Sequence, residues 1–382
     1  LKKNIPPVYL VGGATAFSLL GDQTLYAVLP TYYAELGLLP WHVGLLLSAN
    51  RFVRIFINHW AERFCQLYAP RLLFLLALVG GAALTAVYAV VTSFVFLLVA
   101  RVLWGICWTF IRQIGLTTVA ESSQPEQVGR SMGLYSGLSR LGSLAGNFLG
   151  ALGHDILGFS GVLLLFSSLS LLAAPLGPLS RRGVPDKSGQ ENTGKTQSKA
   201  GSRLLLGGFS VGFVGQGAIM STLGLVMAEA LGAGVEIAGV FVGVATLTGA
   251  LMATRWIADI GAPVMGALSD RWGRRKGAMV FLSAGSLALL LAAFNEGLEM
   301  RALCVVLFFV CATGAHVSLV AEVGARGSRA VASYVTAADL GACTGPIVAW
   351  MMPQWELPTM WIFVVGALCY GVTAVVNGWR LD

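Results

Sequence analysis

At 382 residues, with 56% hydrophobic and only 11% charged residues and a mean hydropathy of +0.76, the chain is too apolar for a soluble domain; such domains carry roughly 25% charged residues. A net charge of +7 raises nucleic acid as a partner, but the placement of the charges, set out below, excludes it. The apolar runs are continuous rather than alternating, so a membrane barrel is disfavoured, and many approach the ~20 residues that span about 30 Å of hydrocarbon as a helix.

In chain order the hydropathy predicts twelve transmembrane helices, over 8–31, 41–62, 71–91, 94–119, 131–152, 157–178, 204–229, 237–268, 277–294, 300–321, 330–352 and 357–378. The expected fold is therefore an all-α integral membrane protein in two pseudo-symmetric six-helix halves. The halves are residues 1–178 and 204–382, joined by a polar cytoplasmic linker over 179–203. With the N-terminus inside, the cytoplasmic segments hold eighteen of the 25 Lys and Arg residues and the outer loops hold one, Arg301. That asymmetry sets the orientation, with both termini cytoplasmic, and the basic surplus reports topology rather than a nucleic-acid partner. The 48 glycines suit close helix packing. The chain begins Leu1-Lys2-Lys3, which predicts a few residues before it, with the first helix acting as an uncleaved insertion signal. Six cysteines lie in or beside helices without a CxxC spacing, so neither disulfides nor a metal is expected. No cofactor is expected either.

The two halves resemble each other. Tyr135-Ser-Gly-Leu-Ser-Arg-Leu-Gly-Ser-Leu-Ala-Gly146 matches Tyr334-Val-Thr-Ala-Ala-Asp-Leu-Gly-Ala-Cys-Thr-Gly345. Val119-Ala-Glu121 and Val320-Ala-Glu322 close the fourth and tenth helices, and Asp22 and Gln216 stand at the same spacing from Glu35 and Glu229. Repeated halves with a site near the midplane between them describe a secondary transporter.

Between the eighth and ninth helices stands Gly266-Ala-Leu-Ser-Asp-Arg-Trp-Gly-Arg-Arg-Lys276. It closely resembles the G-x-L-x-D-R-x-G-R-R-K loop of the major facilitator superfamily. The resemblance implies that Gly266, Asp270, Arg271, Gly273, Arg274 and Arg275 help to hold one access state. The first-half counterpart, Asn58-His-Trp-Ala-Glu62-Arg63, is degenerate. Arg101-Val-Leu-Trp-Gly105 looks like the family's R-x-x-x-G motif of proton-coupled members, with Trp104 where Gln is usual. Asp22 followed by Pro30, and the glycines of the fifth helix, are similar to the drug/proton antiporter group, although that group's Gly-Pro stands here in the eleventh helix as Gly345-Pro346.

Six arginines (Arg51, Arg54, Arg101, Arg112, Arg140, Arg255) and three aspartates (Asp22, Asp259, Asp339) fall inside predicted spans. Each would cost about 2.5–3.5 kcal/mol at the bilayer centre, so they are expected to pair or to line a wet cavity. The repeat places Arg51 opposite Asp259 and Arg140 opposite Asp339 in the alignment. In the family fold this predicts two sign-swapped pairs across the interface of the halves, Arg51 (or Arg54) with Asp339 and Arg140 with Asp259. The local alternative gives Asp259 to Arg255, its i,i+4 neighbour.

Asp22 is the proton-carrier candidate, alongside Arg101 and Arg112. Those two arginines lie eleven residues apart on one helix face, and Arg112 could meet Asp22 or substrate. Burial favours a protonated carboxyl and a neighbouring guanidinium a charged one. A group between the two can change state as its surroundings change; a static ion pair is the plainer alternative. Arg54, Arg112, Arg255, Gln216, Tyr26, Trp108 and His316 are candidates for the substrate cavity, with simple packing as the alternative for the aromatics and the histidine. A surplus of three arginines favours an anionic substrate.

These features point to a secondary transporter moving a small organic, anionic or amphipathic substrate by alternating access. Proton-coupled efflux by a monomer in a bacterial inner membrane is the expected form, with protons and membrane lipid as its other partners. A proton-coupled uptake symporter, a lipid flippase of the same fold and a non-transporting sensor or scaffold remain alternatives. No paired carboxylates, metal spacing or nucleophile motif suggests an enzyme.

Overall fold

The computed structural model describes residues 6–124, 127–182 and 200–378. Most of the polar linker and both chain ends therefore lie outside the described residues. Four helices open the chain: α1 (Pro7–Tyr32), α2 (Pro40–Leu67), α3 (Pro70–Val90) and α4 (Phe94–Ser122). A proline starts each of the first three, at the position where a missing N–H costs nothing because the first turn has no acceptor for it.

The next helix, α5 (Val128–Ala173), runs straight through the connection expected at 153–156. Only Gly158 leaves helical geometry, at φ 75° and ψ 171°, a conformation open to a residue without a Cβ. Two expected spans thus join through a single-residue kink, and a short α6 (Leu176–Ser180) completes the second.

In the second half, α7 (Ser202–Val211) continues through a π-helical segment, Gly212–Ile219, into α8 (Met220–Leu231). An antiparallel hairpin follows, with β1 (Gly234–Ile237) paired to β2 (Val240–Gly243). Its two turn residues, Ala238 and Gly239, both have positive φ, as a type I′ turn requires. This corrects the expected helix over 237–268. Its opening residues lie in the hairpin, where the β-branched Ile237, Val240 and Val242 suit strand, and the helix begins only at α9 (Val244–Ile260). Gly261 then breaks it from α10 (Ala262–Trp272). The remaining helices are α11 (Arg274–Phe294), α12 (Leu298–Gly324), α13 (Ser328–Gln354) and α14 (Met360–Gly378).

Among the described residues, eight helical stretches are long and apolar enough to cross a membrane, and one of them, Arg130–Ser180, holds both legs of the kinked α5. Among the helices that fall short are α1 with Asp22, α2 with Arg51 and Arg54, and the 17-residue α9 with Arg255 and Asp259.

The chain forms two compact units. One comprises Leu1–Leu29, Val53–Asn192 and Gly234–Gly249; the other comprises Pro30–Phe52, Thr193–Ala233 and Ala250–Asp382. In the first, Val11, Ala14, Phe74, Leu78, Ile111 and Ile114 are fully or almost fully buried in a common apolar cluster. Glycines set the helix approach in both. A Cβ at Gly142, Gly146 or Gly150 of α5 would strike Ala16, Leu20 or Thr24 of α1. In the second unit, a Cβ at Gly341 or Gly345 of α13 would strike the backbone at Phe209 or Phe213. Gly142 with Gly146, and Gly341 with Gly345, are the same positions of the repeated segment. Apolar side chains gain little from leaving one lipid-like surface for another, so backbone-to-backbone packing of this kind carries helix association.

The π segment has a sequence reason. A Cβ at Gly212 would meet Ala338 of α13, and one at Gly217 would meet Gly345. These contacting glycines are five residues apart, a spacing that a π turn, with its i→i+5 hydrogen bonds, returns to the same face.

Candidate functional site

The first unit buries one ion pair deeply. Asp22 sits mid-way along α1, and Arg101 lies about two turns into α4. Arg101 Nη1 donates to Asp22 Oδ1 at 2.5 Å, and their side chains are 2% and 4% exposed. The guanidinium carbon lies 5.6 Å from the Tyr26 ring centroid, 5.9 Å from that of Tyr88 and 6.0 Å from that of Trp104. Aromatic faces at this range attract a desolvated cation. Gln23 Nε2 donates to the second carboxylate oxygen at 3.1 Å, and Tyr88 Oη is anchored on the Ala100 carbonyl at 3.2 Å.

Of the two arginines on the α4 face, Arg101 is thus the one that meets Asp22. Arg112 lies three turns further along, within electrostatic reach of Tyr135 on α5. Trp108 stacks on Trp104, with centroids 5.8 Å apart and planes at 9°, and packs against the apolar cluster of the unit. Arg54 on α2 is half-buried, and Arg140 on α5 is exposed.

The second unit holds a different arrangement. Arg255 Nη1 donates to Asp259 Oδ1 at 2.6 Å, one turn along α9, and to Thr313 Oγ1 of α12 at 3.0 Å. Thr313 in turn donates to the same Asp259 oxygen at 2.8 Å, closing a three-member ring. For Asp259 the geometry therefore supplies the local i,i+4 partner. Trp256 lies 5.8 Å from the Arg255 guanidinium. His316 Nδ1 and Tyr334 Oη are 3.3 Å apart, so the tenth-helix histidine has a hydrogen-bonding role beside α13. Asp339 is half-buried on α13.

Arg51 is anchored on backbone. Its Nη1 donates to the Gln216 carbonyl at 2.8 Å and to the Ala342 carbonyl at 3.0 Å. Gln216 belongs to the π segment.

The basic loop is fixed through its arginines. Gly273, at φ 88°, turns the chain between α10 and α11. Arg274 Nε donates to Asp270 at 3.1 Å and its Nη1 to the Ala321 carbonyl at 2.9 Å, while Arg275 Nε donates to the Asn377 carbonyl at 2.6 Å. Gly266 faces Val317, and Arg271 is exposed. The loop is thereby tied to the ends of α12 and α14.

Two further clusters are not evident from the sequence. Arg181 Nη2 donates to Glu121 at 3.1 Å and its Nη1 to Thr118 at 2.9 Å. Arg203 binds Glu322, and also Asn377 at 2.8 Å. Glu121 and Glu322 mark the repeat in the sequence but carry no role there. Each is neutralised by an arginine at one end of the polar linker. A third such contact is that of Asp155 on α5. Its carboxylate accepts from the backbone N–H of Thr246 at 2.9 Å and from its hydroxyl at 2.5 Å, capping the first turn of α9.

The Major Facilitator Superfamily family model matches residues 11–261, well over half of the chain. The chain belongs to this superfamily. It is accordingly an integral, multi-pass membrane transporter with the twelve-helix fold of that family, and its cargo is a small molecule. Solved structures agree in fold. A bacterial homologue of the human lysosomal transporter Spinster, in an inward-facing and unoccupied conformation, is similar over 97% of this chain and 94% of its own, at a TM-score of 0.73 and 17% identity. The nucleoside transporter NupG is similar over 98% of both chains, at 0.75 and 12%. The human organic anion transporter MFSD10 (TETRAN) is similar over 98% of this chain and all of its own, at 0.63 and 18%. No curated protein sequence matches significantly.

Proposed function

We propose that this superfamily member is a proton-coupled secondary transporter that exports a small organic, anionic or amphipathic substrate by alternating access. Its halves, 1–178 and 204–382, would rock about a central site in a bacterial inner membrane, with both termini in the cytoplasm. The observation that carries the coupling is the buried Asp22–Arg101 pair in its aromatic cage. For coupling, this pair would alternate between two arrangements, one with Asp22 and Arg101 in contact and one with the arginine turned to another acceptor. Coupling needs such a two-state element. Gln216, the repeat counterpart of Asp22, does not titrate, so a proton role at this repeat position would be asymmetric.

The charge balance supports an anion. Arg101 and Arg255 are matched by Asp22 and Asp259. Over the predicted spans as a whole, six arginines stand against three aspartates, a formal excess of three positive charges. Guanidinium groups bind carboxylate and phosphate through parallel hydrogen bonds. Pairing of Arg51 (or Arg54) with Asp339 and of Arg140 with Asp259 across the halves belongs to the same proposal, as contacts that change during rocking. The loop from Gly266 to Lys276 would hold one access state.

A thermal-shift screen of organic anions against organic cations, followed by flux in proteoliposomes with and without a pH gradient, tests the proposal. Stabilisation by anions and gradient-driven flux are expected; stabilisation by cations alone would overturn the substrate class.

A further inference from the structure

Pro346 stands inside α13. Proline has no N–H, so the carbonyl four residues earlier loses its helical donor. That carbonyl belongs to Ala342, and it is the one to which Arg51 Nη1 donates at 3.0 Å. The same nitrogen donates at 2.8 Å to Gln216, inside the π segment. A single guanidinium nitrogen therefore bridges two helices with interrupted ladders, at the level of the interruptions.

The surroundings fix this geometry. The π segment and α13 touch backbone to backbone, where a Cβ on Gly217 would meet Gly345 and one on Gly345 would meet Gly217. α2 approaches as closely, since a Cβ on Gly44 would meet the Pro346 carbonyl and the Trp350 side chain. Trp350 Nε1 donates to the Ser221 carbonyl at 3.0 Å, a second side-chain bond to backbone just beyond the π segment. In a low-dielectric site, a carbonyl without a donor costs free energy comparable to a lost hydrogen bond.

We propose that Arg51 is a positioning residue: it supplies the donor that Pro346 removes and staples α13 to the π segment, holding both broken helices in register beside the central site. Two hydrogen bonds of its guanidinium go to helix carbonyls, which gives it a part in shaping these helices. This role holds whichever substrate the protein carries.

The test is a double-mutant cycle on the purified full chain, read by thermal melting and by the rate at which maleimide alkylates Cys343, the buried neighbour of Ala342. Arg51→Met is expected to lower the melting temperature and to speed Cys343 alkylation about ten-fold, the change expected on losing a charge-assisted bond. Pro346→Ala restores an N–H to the ladder, so the same Arg51→Met change in that background is expected to have a clearly smaller effect on both readouts. Arg51→Gln, neutral but still a donor, is expected to retain much of the wild-type behaviour. Equal losses from Arg51→Met with and without Pro346→Ala would overturn the proposal. So would recovery of Arg51→Met by Asp339→Asn, which would make the arginine an ion-pair partner only. Both readouts need only folded protein, so they decide the point even if no transport is found.

Discussion

Arg101 and Asp22 meet across 2.5 Å with almost no exposure to solvent, and three aromatic rings close around the arginine. A buried pair is weak evidence of net stabilisation, because both charges lose their hydration. Removal of one partner alone is costly, at about 3–5 kcal/mol, since it strands the other. Asp22→Leu and Arg101→Met are each expected to destabilise the purified protein by about that amount. Their combination is expected to recover most of the loss without recovering transport. Equal melting of the double variant and the worse single variant would show that the two side chains do not act as a pair.

The glycine seams make a prediction that is the same in both units. Gly142→Val and Gly341→Val would drive a side chain into the backbone of Ala16 and of Phe209. Overpacking of this kind costs roughly 1–3 kcal/mol or more. Gly133 is the control, since nothing beyond its chain neighbours and its own helix backbone lies within 4 Å of where its Cβ would stand. Gly133→Ala is expected to stabilise α5 by roughly 0.5–1 kcal/mol. Thermal melting of the three variants checks both directions.

The charged clusters at the helix ends should separate by burial. The side chains of Arg203 and Glu322 are 18% and 15% exposed, whereas those of Arg274 and Asp270 are 43% and 61% exposed. Arg203→Met is expected to cost about 1–3 kcal/mol of stability, and Asp270→Asn no more than about 1 kcal/mol. If Asp270→Asn nevertheless slows transport, the loop acts on the access equilibrium rather than on folding. Melting and flux measured on the same preparations distinguish the two.

Much of this is legible in the sequence, because bilayer thickness leaves helix length little freedom and lipid makes intramembrane charges conspicuous. The charges single out Asp22, Arg101, Arg255 and Asp259 as side chains that need partners, and the fold supplies those partners. What the sequence lacks is height. Arg101 and Arg112 share a face of α4 about 16 Å apart along the axis, and only the packing of α1 on α4 selects Arg101 for Asp22. The hairpin at 234–243 is hidden because its Val and Ile residues continue the apolar run of the following helix. The kink at Gly158 lies a few residues past the expected connection, because one glycine replaces a loop. The π turn does leave a trace, in the five-residue spacing of Gly212 and Gly217 against the four-residue spacing of Gly341 and Gly345. Arg51 reads in the sequence as a charge, whereas in the fold it donates to backbone carbonyls beside a proline and within a π turn.

The most direct test of the coupling proposal is flux of a stabilising organic anion in proteoliposomes, comparing the wild-type chain with Asp22→Asn. A pH gradient is expected to drive concentrative flux in the wild type. In Asp22→Asn, concentrative flux should be lost while exchange of anion for anion at equal pH continues. Gradient-driven accumulation by Asp22→Asn at the wild-type rate would contradict proton coupling through Asp22.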